Sequence, residues 1–187
     1  MSQPVFTPPD PPWLKLLSLD GQLCLRLNRI SERDRPGRFF AAISRLGDGW
    51  FWYALILLLP LVYGRFGVLV SLHLALTGLS CLMVYRWVKR STSRPRPFHV
   101  MPALIRREAA LDEFSFPSGH TLHAVAFTLI IASHLPLVAW LVLPFTCLVA
   151  LSRPVLGLHY PSDVLAGAVI GALIAVVSIN GMRWLWL

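Results

Sequence analysis

Long apolar runs separated by short polar segments dominate the chain from residue 50 onward. Runs of this length and composition are typical of helices that cross a bilayer. The pattern predicts five such helices, at residues 50–63, 66–88, 118–135, 136–151 and 163–179. Gly64 and Arg65 mark a tight turn between the first two, and the third and fourth are expected to form an antiparallel hairpin.

The first 48 residues follow a different pattern. Residues 1–12 are polar and rich in proline, which predicts a disordered or extended leader without the apolar core of a signal peptide. In residues 13–30 leucines recur at helical spacing among charged residues, which predicts an amphipathic helix lying at the membrane interface. A charged turn at 31–38 and a second short amphipathic piece at 39–46 follow. In an alternative interpretation this region contains a sixth, weaker span.

The predicted fold class is therefore an all-α polytopic membrane helix bundle. About five helices span the bilayer, or six in the alternative, and interfacial amphipathic helices precede them. Residues 1–187 are expected to form a single domain, with the leader and interfacial helices in 1–48 and the transmembrane core in 49–187. The composition agrees, since 56% of the residues are hydrophobic and only 14% are charged.

The formal net charge of +8 changes the expected partners rather than the fold. In so apolar a chain, the charge favours anionic lipid headgroups or phosphorylated substrates over nucleic acid. The sequence pattern leaves the oligomeric state open.

A polar segment at residues 152–163 separates the last two apolar runs. Arg153 offers a fixed fork of donors for an oxyanion. His159 and Asp163 lie four residues apart at the start of the last helix, where Pro161 suits the first turn. A carboxylate on one ring nitrogen would leave the other nitrogen free to attack. An ordinary interpretation also fits: a helix-start charge, a loop histidine and an interfacial arginine.

The loop at residues 89–117 carries two more candidate groups. Lys89 and Arg96 are seven residues apart on a segment that prolines stiffen, so they could clamp phosphate oxygens. Basic residues next to a membrane helix are, however, more often topology signals or lipid contacts.

The same loop ends in Pro117-Ser118-Gly119-His120, directly before an apolar helix. Ser118 is a good N-cap, Gly119 lets the backbone approach a ligand, and the helix start favours anions. His120 could then donate a proton to a leaving oxygen. A capped helix with an interfacial histidine is the simpler interpretation, and His123 is either a packing residue or a supporting one.

Together, the three segments place phosphate-binding cations, helix-end amides, a general acid and a nucleophile at one membrane face. The candidate residues are Lys89, Arg96, Ser118, Gly119, His120, Arg153, His159 and Asp163. This set predicts phosphoryl transfer through a phosphohistidine. The absence of a carboxylate cluster in the sequence pattern predicts chemistry without a metal or other cofactor.

The three segments resemble the signatures of the type 2 phosphatidic-acid phosphatase superfamily, K-x6-R-P, P-S-G-H and S-R-x5-H-x3-D. They match as Lys89 to Arg96-Pro97, Pro117 to His120, and Ser152-Arg153 to His159 and Asp163. The resemblance implies an α-helical membrane phosphatase with His159 as nucleophile, Asp163 orienting it and His120 as general acid. It also implies a phosphate cradle formed by Lys89, Arg96, Arg153 and the Ser118-Gly119 backbone.

The expected activity is hydrolysis of a lipid phosphomonoester or pyrophosphate, with isoprenyl pyrophosphate, phosphatidylglycerophosphate and phosphatidate as candidate substrates. A lipid-to-lipid phosphotransferase and a non-enzymatic lipid transporter or scramblase remain as alternatives. The resemblance implies a bacterial cytoplasmic membrane protein with its site at the extracytoplasmic leaflet, although the distribution of basic residues favours the opposite orientation.

Overall fold

The computed structural model of the protein describes residues 12–110 and 112–185, and its side chains at 17–110 and 112–182. Almost all of the predicted leader at 1–12 lies outside the described residues. The helices within them are α1 (Pro12–Asn28), α2 (Asp34–Arg45), α3 (Phe51–Thr92), α4 (Pro97–Val100), α5 (Gly119–His134), α6 (Pro136–Val155) and α7 (Pro161–Leu185). A short 3₁₀ helix, Arg29–Glu32, precedes α2, and a π-helical turn, Leu46–Trp50, joins α2 to α3.

Helix α3 contains a reversal of the chain at Gly64, where φ is 57° and ψ is −133°. The hydroxyl of Ser71 donates a hydrogen bond to the carbonyl oxygen of Ile56 at 2.7 Å. In an uninterrupted helix these two residues would lie about 22 Å apart. The two halves of α3 therefore pack against each other as a hairpin, and the turn predicted at Gly64 is confirmed.

Helix α5 lies at the centre of the bundle and contacts α3, α6 and α7. Its start is fixed by Ser118, the predicted N-cap, whose hydroxyl accepts from the backbone N–H of Thr121. Helix α7 packs closest because it presents glycines to α5. A Cβ at Gly167 would come within 2.5 Å of the Ser118 carbonyl oxygen, and one at Gly171 within 2.3 Å of the Leu122 carbonyl oxygen. The small residues of α7 thus allow its backbone to approach that of α5 closely.

The outer surface of the bundle is apolar, with large exposed side chains such as Leu57, Leu61, Leu137, Leu141 and Val177. Three helical stretches among the described residues are long and apolar enough to cross a membrane: Asp34–Thr92, Pro136–Val155 and Pro161–Met182. The molecule is an integral membrane protein built as an all-α bundle. The number of helices that cross the bilayer stays a prediction.

Two predicted boundaries are wrong. The charged turn at residues 31–38 is helical over most of its length, because α2 begins at Asp34. The polar segment at 152–163 is also not a loop along its whole length. Helix α6 continues to Val155, and only residues 156–160 separate it from α7. Ser152 and Arg153 are buried against protein, so their polarity does not end the helix.

Candidate active site

Six of the eight predicted site residues line one cavity of about 1070 Å³ at the end of the bundle where α5 and α7 begin. They are Lys89, Arg96, Gly119, His120, Arg153 and His159. Of the other two, Ser118 caps α5 and Asp163 lies behind His159 in the first turn of α7. The fold therefore brings all three sequence segments together.

His159 lies in the short loop between α6 and α7, which turns at Gly157 with φ at 71°. Its Nε2 atom lies 3.2 Å from Nη1 of Arg96. Because a guanidinium can only donate, Nε2 is the acceptor and the ring proton is on Nδ1. Burial, followed by the charges of Arg153 and Arg96, holds the pKa of His159 well below its ordinary value. The imidazole is thus neutral at pH 7, with its unprotonated Nε2 atom next to Arg96.

Asp163 is adjacent to His159 but does not form a hydrogen bond with it. Its Oδ2 lies 3.7 Å from Nδ1 of His159, which has no hydrogen-bond partner among the described residues. That oxygen accepts instead from the backbone N–H of Tyr160 at 2.8 Å. The other carboxylate oxygen accepts from Arg94 at 2.6 Å. Asp163 is therefore held in place by groups other than the ring it faces.

Lys89 and Arg96, which the sequence predicts to bind phosphate, are both paired with Asp112, a residue that the sequence pattern did not single out. One carboxylate oxygen of Asp112 contacts Nζ of Lys89, and the other accepts from Nη2 of Arg96 at 2.7 Å. Burial acts to raise the pKa of Asp112, but the bonds from Lys89 and Arg96 outweigh it and lower that pKa below its ordinary value. An ionised carboxylate thus bridges the two cations much as two phosphate oxygens would.

Arg153 is on the last turn of α6 and is almost completely buried. Its Nη1 atom donates to the hydroxyl of Ser44, while its Nε atom has no acceptor among the described residues. A buried N–H group without a partner is costly, and this guanidinium lines the cavity. The side chain is therefore set to donate to an oxyanion bound there.

His120, in the first turn of α5, contacts Asp48 through its Nε2 atom. Asp48 lies in the π-helical turn between Gly47 and Gly49, and the backbone at Gly49 has φ at 137°. Sequence reasoning missed Asp48 as a site residue. The available signal was one acidic residue between two glycines, where an amphipathic helix ends.

Of the other histidines, one lines the same cavity and two form a pair far from it. His123 contacts the carbonyl oxygen of Gly119 through Nδ1 at 2.8 Å and also lines the cavity. At the other end of α5, Nε2 of His134 lies 2.9 Å from Nδ1 of His73. That pair lies about 14 residues along α5 from His120, or about 20 Å, so it does not belong to the site.

Beyond its polar end, the cavity runs along α5 and both halves of α3. Its walls there are mainly apolar and aromatic and include Trp52, Tyr53, Ile56, Leu82 and Phe127. The arrangement is an amphipathic pocket, with cations and three histidines on its polar side and an apolar channel on the other.

The fold and site together define a helical membrane phosphatase. The sequence model of the PAP2 superfamily matches residues 66–187, and the chain belongs to that superfamily. Its phosphatase relatives support a hydrolase of phosphate esters that acts as a membrane lipid phosphatase.

Two curated relatives illustrate the similarity. The chain is 35% identical over 159 residues to a decaprenylphosphoryl-5-phosphoribose phosphatase of Mycobacterium tuberculosis, an alignment that covers 80% of this chain and 85% of the relative. It is 33% identical over 125 residues to the undecaprenyl-diphosphatase BcrC of Bacillus subtilis, covering 65% of this chain and 63% of the relative.

Two solved structures share the fold. The crystal structure of a PAP2-type phosphatidylglycerolphosphate phosphatase from Bacillus subtilis superposes with a TM-score of 0.75 at 22% identity, covering 90% of this chain and 87% of that one. That of Aquifex aeolicus LpxE gives 0.74 at 22% identity, covering 85% and 93%. The similarity in fold extends over nearly the whole bundle.

Proposed function

We propose that this membrane lipid phosphatase hydrolyses the phosphate or pyrophosphate of a polyprenyl-type lipid through a phosphohistidine at His159, without a metal ion. The observation that carries the proposal is the neutral, buried His159, whose Nε2 lies 3.2 Å from Arg96 in a cavity that Lys89 and Arg153 also line. Such a nitrogen is a nucleophile, and the three cations match the charge of the phosphoryl group it would attack.

In the first step, the Nε2 atom of His159 attacks phosphorus, so that a P–N bond forms and the P–O bond to the leaving group breaks. The bonding electron pair goes to the leaving oxygen, which takes a proton from His120. Arg153 and Arg96 donate to the phosphoryl oxygens, whose charge they balance throughout the transfer. The carboxylate of Asp163 stabilises the positive charge that develops on the ring of His159.

In the second step, a water molecule attacks the phosphorus and gives its proton to His120. The P–N bond breaks, inorganic phosphate is released and His159 is neutral again. Three side-chain cations can supply the charge that a metal ion supplies in other phosphoryl-transfer enzymes. Among the described residues, no group of three or more His, Cys, Asp or Glu could hold such an ion.

The apolar part of the cavity supports a lipid substrate, because Trp52, Ile56, Leu82 and Phe127 would contact a hydrocarbon chain while its phosphate reaches His159. A polyprenyl chain is favoured because two relatives that match this chain at 33–35% identity carry prenyl-linked phosphates in their names. Both arguments concern the substrate class and leave the headgroup open.

Release of inorganic phosphate from purified protein tests the function directly. We expect release from undecaprenyl pyrophosphate in detergent with EDTA present and no acceptor lipid added, and slower release from phosphatidate and phosphatidylglycerophosphate. A requirement for a divalent cation would contradict the metal-free mechanism. Release that depends on an added acceptor lipid would instead indicate a phosphotransferase.

Replacement of Asp112 by Asn is expected to strengthen inhibition by inorganic phosphate. The Asp112 carboxylate occupies Lys89 and Arg96, so bound phosphate must compete with it for both cations. We expect the inhibition constant for phosphate to fall roughly tenfold, the scale of one charge-assisted hydrogen bond.

The matched control for Asp112→Asn is Asp34→Asn, since Asp34 is an exposed carboxylate paired with Arg107. Its inhibition constant should equal that of the wild type. Weaker phosphate inhibition in Asp112→Asn would show that Asp112 positions the cations rather than competing with phosphate.

We also propose that the site faces the extracytoplasmic side of a bacterial cytoplasmic membrane. Cysteines at two exposed positions, Ser93 near the site and Arg65 at the reversal in α3, would report the two sides. After replacement of the three native cysteines, a membrane-impermeant thiol reagent on intact cells should label position 93 and leave position 65 unlabelled. Labelling of position 65 alone would show that the site faces the cytoplasmic side instead.

A further inference from the structure

We infer that residues 12–50, which precede the part of the chain matched by the family model, supply a positioning carboxylate for each catalytic histidine. Asp48 acts on His120, and Asp20 acts on His159 through Arg94 and Asp163. The inference rests on the proposed function, since it assigns supporting roles to residues around that mechanism. It also gives this segment a role beyond the membrane anchoring that its amphipathic pattern predicts.

Asp20 is a buried carboxylate on α1 that fixes the start of α7. One of its oxygens accepts from the backbone N–H of Ser162 at 3.0 Å, and the other from Arg94 at 2.8 Å and from the Ser162 hydroxyl. These contacts hold the first turn of α7 against α1. Arg94 binds Asp20 through Nη2, which leaves its Nη1 atom available for another acceptor.

The Nη1 atom of Arg94 donates to Oδ1 of Asp163 at 2.6 Å. The guanidinium also lies 4.0 Å from the ring centroid of Tyr160, so it is held on a second side. With Oδ1 of Asp163 engaged, its Oδ2 stays on the side of Nδ1 of His159. The chain from Asp20 through Arg94 to Asp163 therefore sets the position of the carboxylate behind the nucleophile.

Helix α1 also holds the loop that carries the nucleophile. The side-chain amide of Asn28 donates to the carbonyl oxygens of Val155 and Ile105, each at 2.9 Å. It accepts from the backbone N–H of Ile105 at 2.8 Å. One buried amide thus ties the end of α6, where the loop to His159 begins, to the 101–110 segment.

Around the second histidine, the same segment supplies Asp48 and Ser44. The Asp48 carboxylate contacts Nε2 of His120, and the buried hydroxyl of Ser44 accepts from Arg153. A carboxylate on one ring nitrogen stabilises the protonated imidazole, which is the form that must protonate the leaving oxygen. Asp48 therefore supports the acid step, whereas Asp20 supports the nucleophilic step.

The two roles predict different kinetic signatures in kcat/KM, which reports all steps through loss of the leaving group. For Asp48→Asn, we expect kcat/KM on a lipid phosphate to fall about tenfold or more, within the range of a general-acid contribution. On p-nitrophenyl phosphate, whose leaving group needs no proton, the change should be small. In a protein that already carries His120→Ala, Asp48→Asn should not lower kcat/KM any further.

For Asp20→Asn, we expect about a tenfold loss of kcat/KM on both substrates alike, because the attacking nitrogen is affected whatever the leaving group. Asp34→Asn is the matched control, since it changes a carboxylate of the same segment that is 85% exposed. If Asp20→Asn does not fold, Asp20→Glu is measured in its place, with a smaller loss expected. The inference would be overturned if Asp20→Asn and Asp48→Asn lowered kcat/KM no more than Asp34→Asn does. It would also be overturned if the two variants showed the same dependence on the leaving group.

Orthovanadate provides a readout that does not depend on turnover, because it adopts the geometry of a transferring phosphoryl group. We expect it to raise the unfolding temperature of the wild type and of Asp34→Asn, and to raise that of Asp20→Asn and Asp48→Asn less. An equal rise in all four proteins would overturn the inference. Failure of the wild type to release phosphate from any lipid, with these vanadate differences intact, would instead count against the proposed function alone.

Discussion

Replacement of His159 by Ala is expected to reduce kcat by about 10⁴-fold or more on every phosphate substrate, the scale of removing a covalent nucleophile. The side chain is buried, and its Nε2 atom lies 3.2 Å from Nη1 of Arg96 in a cavity that Lys89 and Arg153 also line. Steady-state release of phosphate from a lipid phosphate measures the effect.

The control for His159→Ala is His99→Ala, which removes an exposed imidazole on the four-residue helix α4. The control should retain wild-type turnover, and both variants should show cooperative thermal unfolding in detergent. Turnover of a folded His159→Ala protein within about tenfold of the wild type would exclude the nucleophilic role, because a lost nucleophile costs far more.

Replacement of Arg153 by Lys is expected to lower kcat/KM by about 10²- to 10³-fold, the cost of losing an aligned oxyanion donor. The guanidinium lines the cavity and donates to Ser44 with Nη1, while its Nε has no acceptor among the described residues. A lysine ammonium has the same charge, but it cannot hold the Ser44 contact and offer a second fixed donor at the same time. The change therefore tests geometry separately from charge.

Arg45→Lys is the corresponding control, because Arg45 is a largely exposed arginine paired with Glu108. It should leave kcat/KM within a factor of about two, as exposed ion pairs contribute little. If Arg153→Lys were as active as Arg45→Lys, positive charge alone would explain phosphate binding. The unpartnered Nε atom would then have no catalytic significance.

The sequence was sufficient to predict the parts of the fold that depend on local chemistry. Ser118 before an apolar run predicted the start of α5, Pro161 the start of α7 and Gly64 the reversal in α3. Each depends on the conformational preference or capping ability of one residue type. The three motif segments meet at one end of the bundle because the number of apolar runs between them returns the chain to the same side.

The ends of α2 and α6 were less predictable, because hydropathy does not show what a polar residue contacts. Ser152 and Arg153 look like the end of a span, yet α6 continues to Val155 because both side chains are buried against other parts of the protein. The 31–38 segment looks like a turn for the same reason, although α2 begins at Asp34.

The acidic partners in the site could not be predicted from spacing. Asp48 and His120 are separated by 72 residues, and Arg94 and Asp20 by 74. Only the packing of the N-terminal helices on the bundle brings these pairs together. A carboxylate in an amphipathic helix is usually solvated, so nothing in the sequence of α1 distinguished Asp20 from an exposed residue.

The central claim, a phosphoryl group carried by His159, is tested most directly in the His120→Ala variant with p-nitrophenyl phosphate. Departure of nitrophenolate needs no acid, whereas hydrolysis of the phosphoenzyme needs His120 as base, so the intermediate should accumulate. With radiolabelled substrate, the account predicts a rapid burst of about one nitrophenolate per active site, the burst expected of a covalent intermediate. The label should be acid-labile and should lie on His159. Steady release without a burst, or label on any other residue, would contradict it.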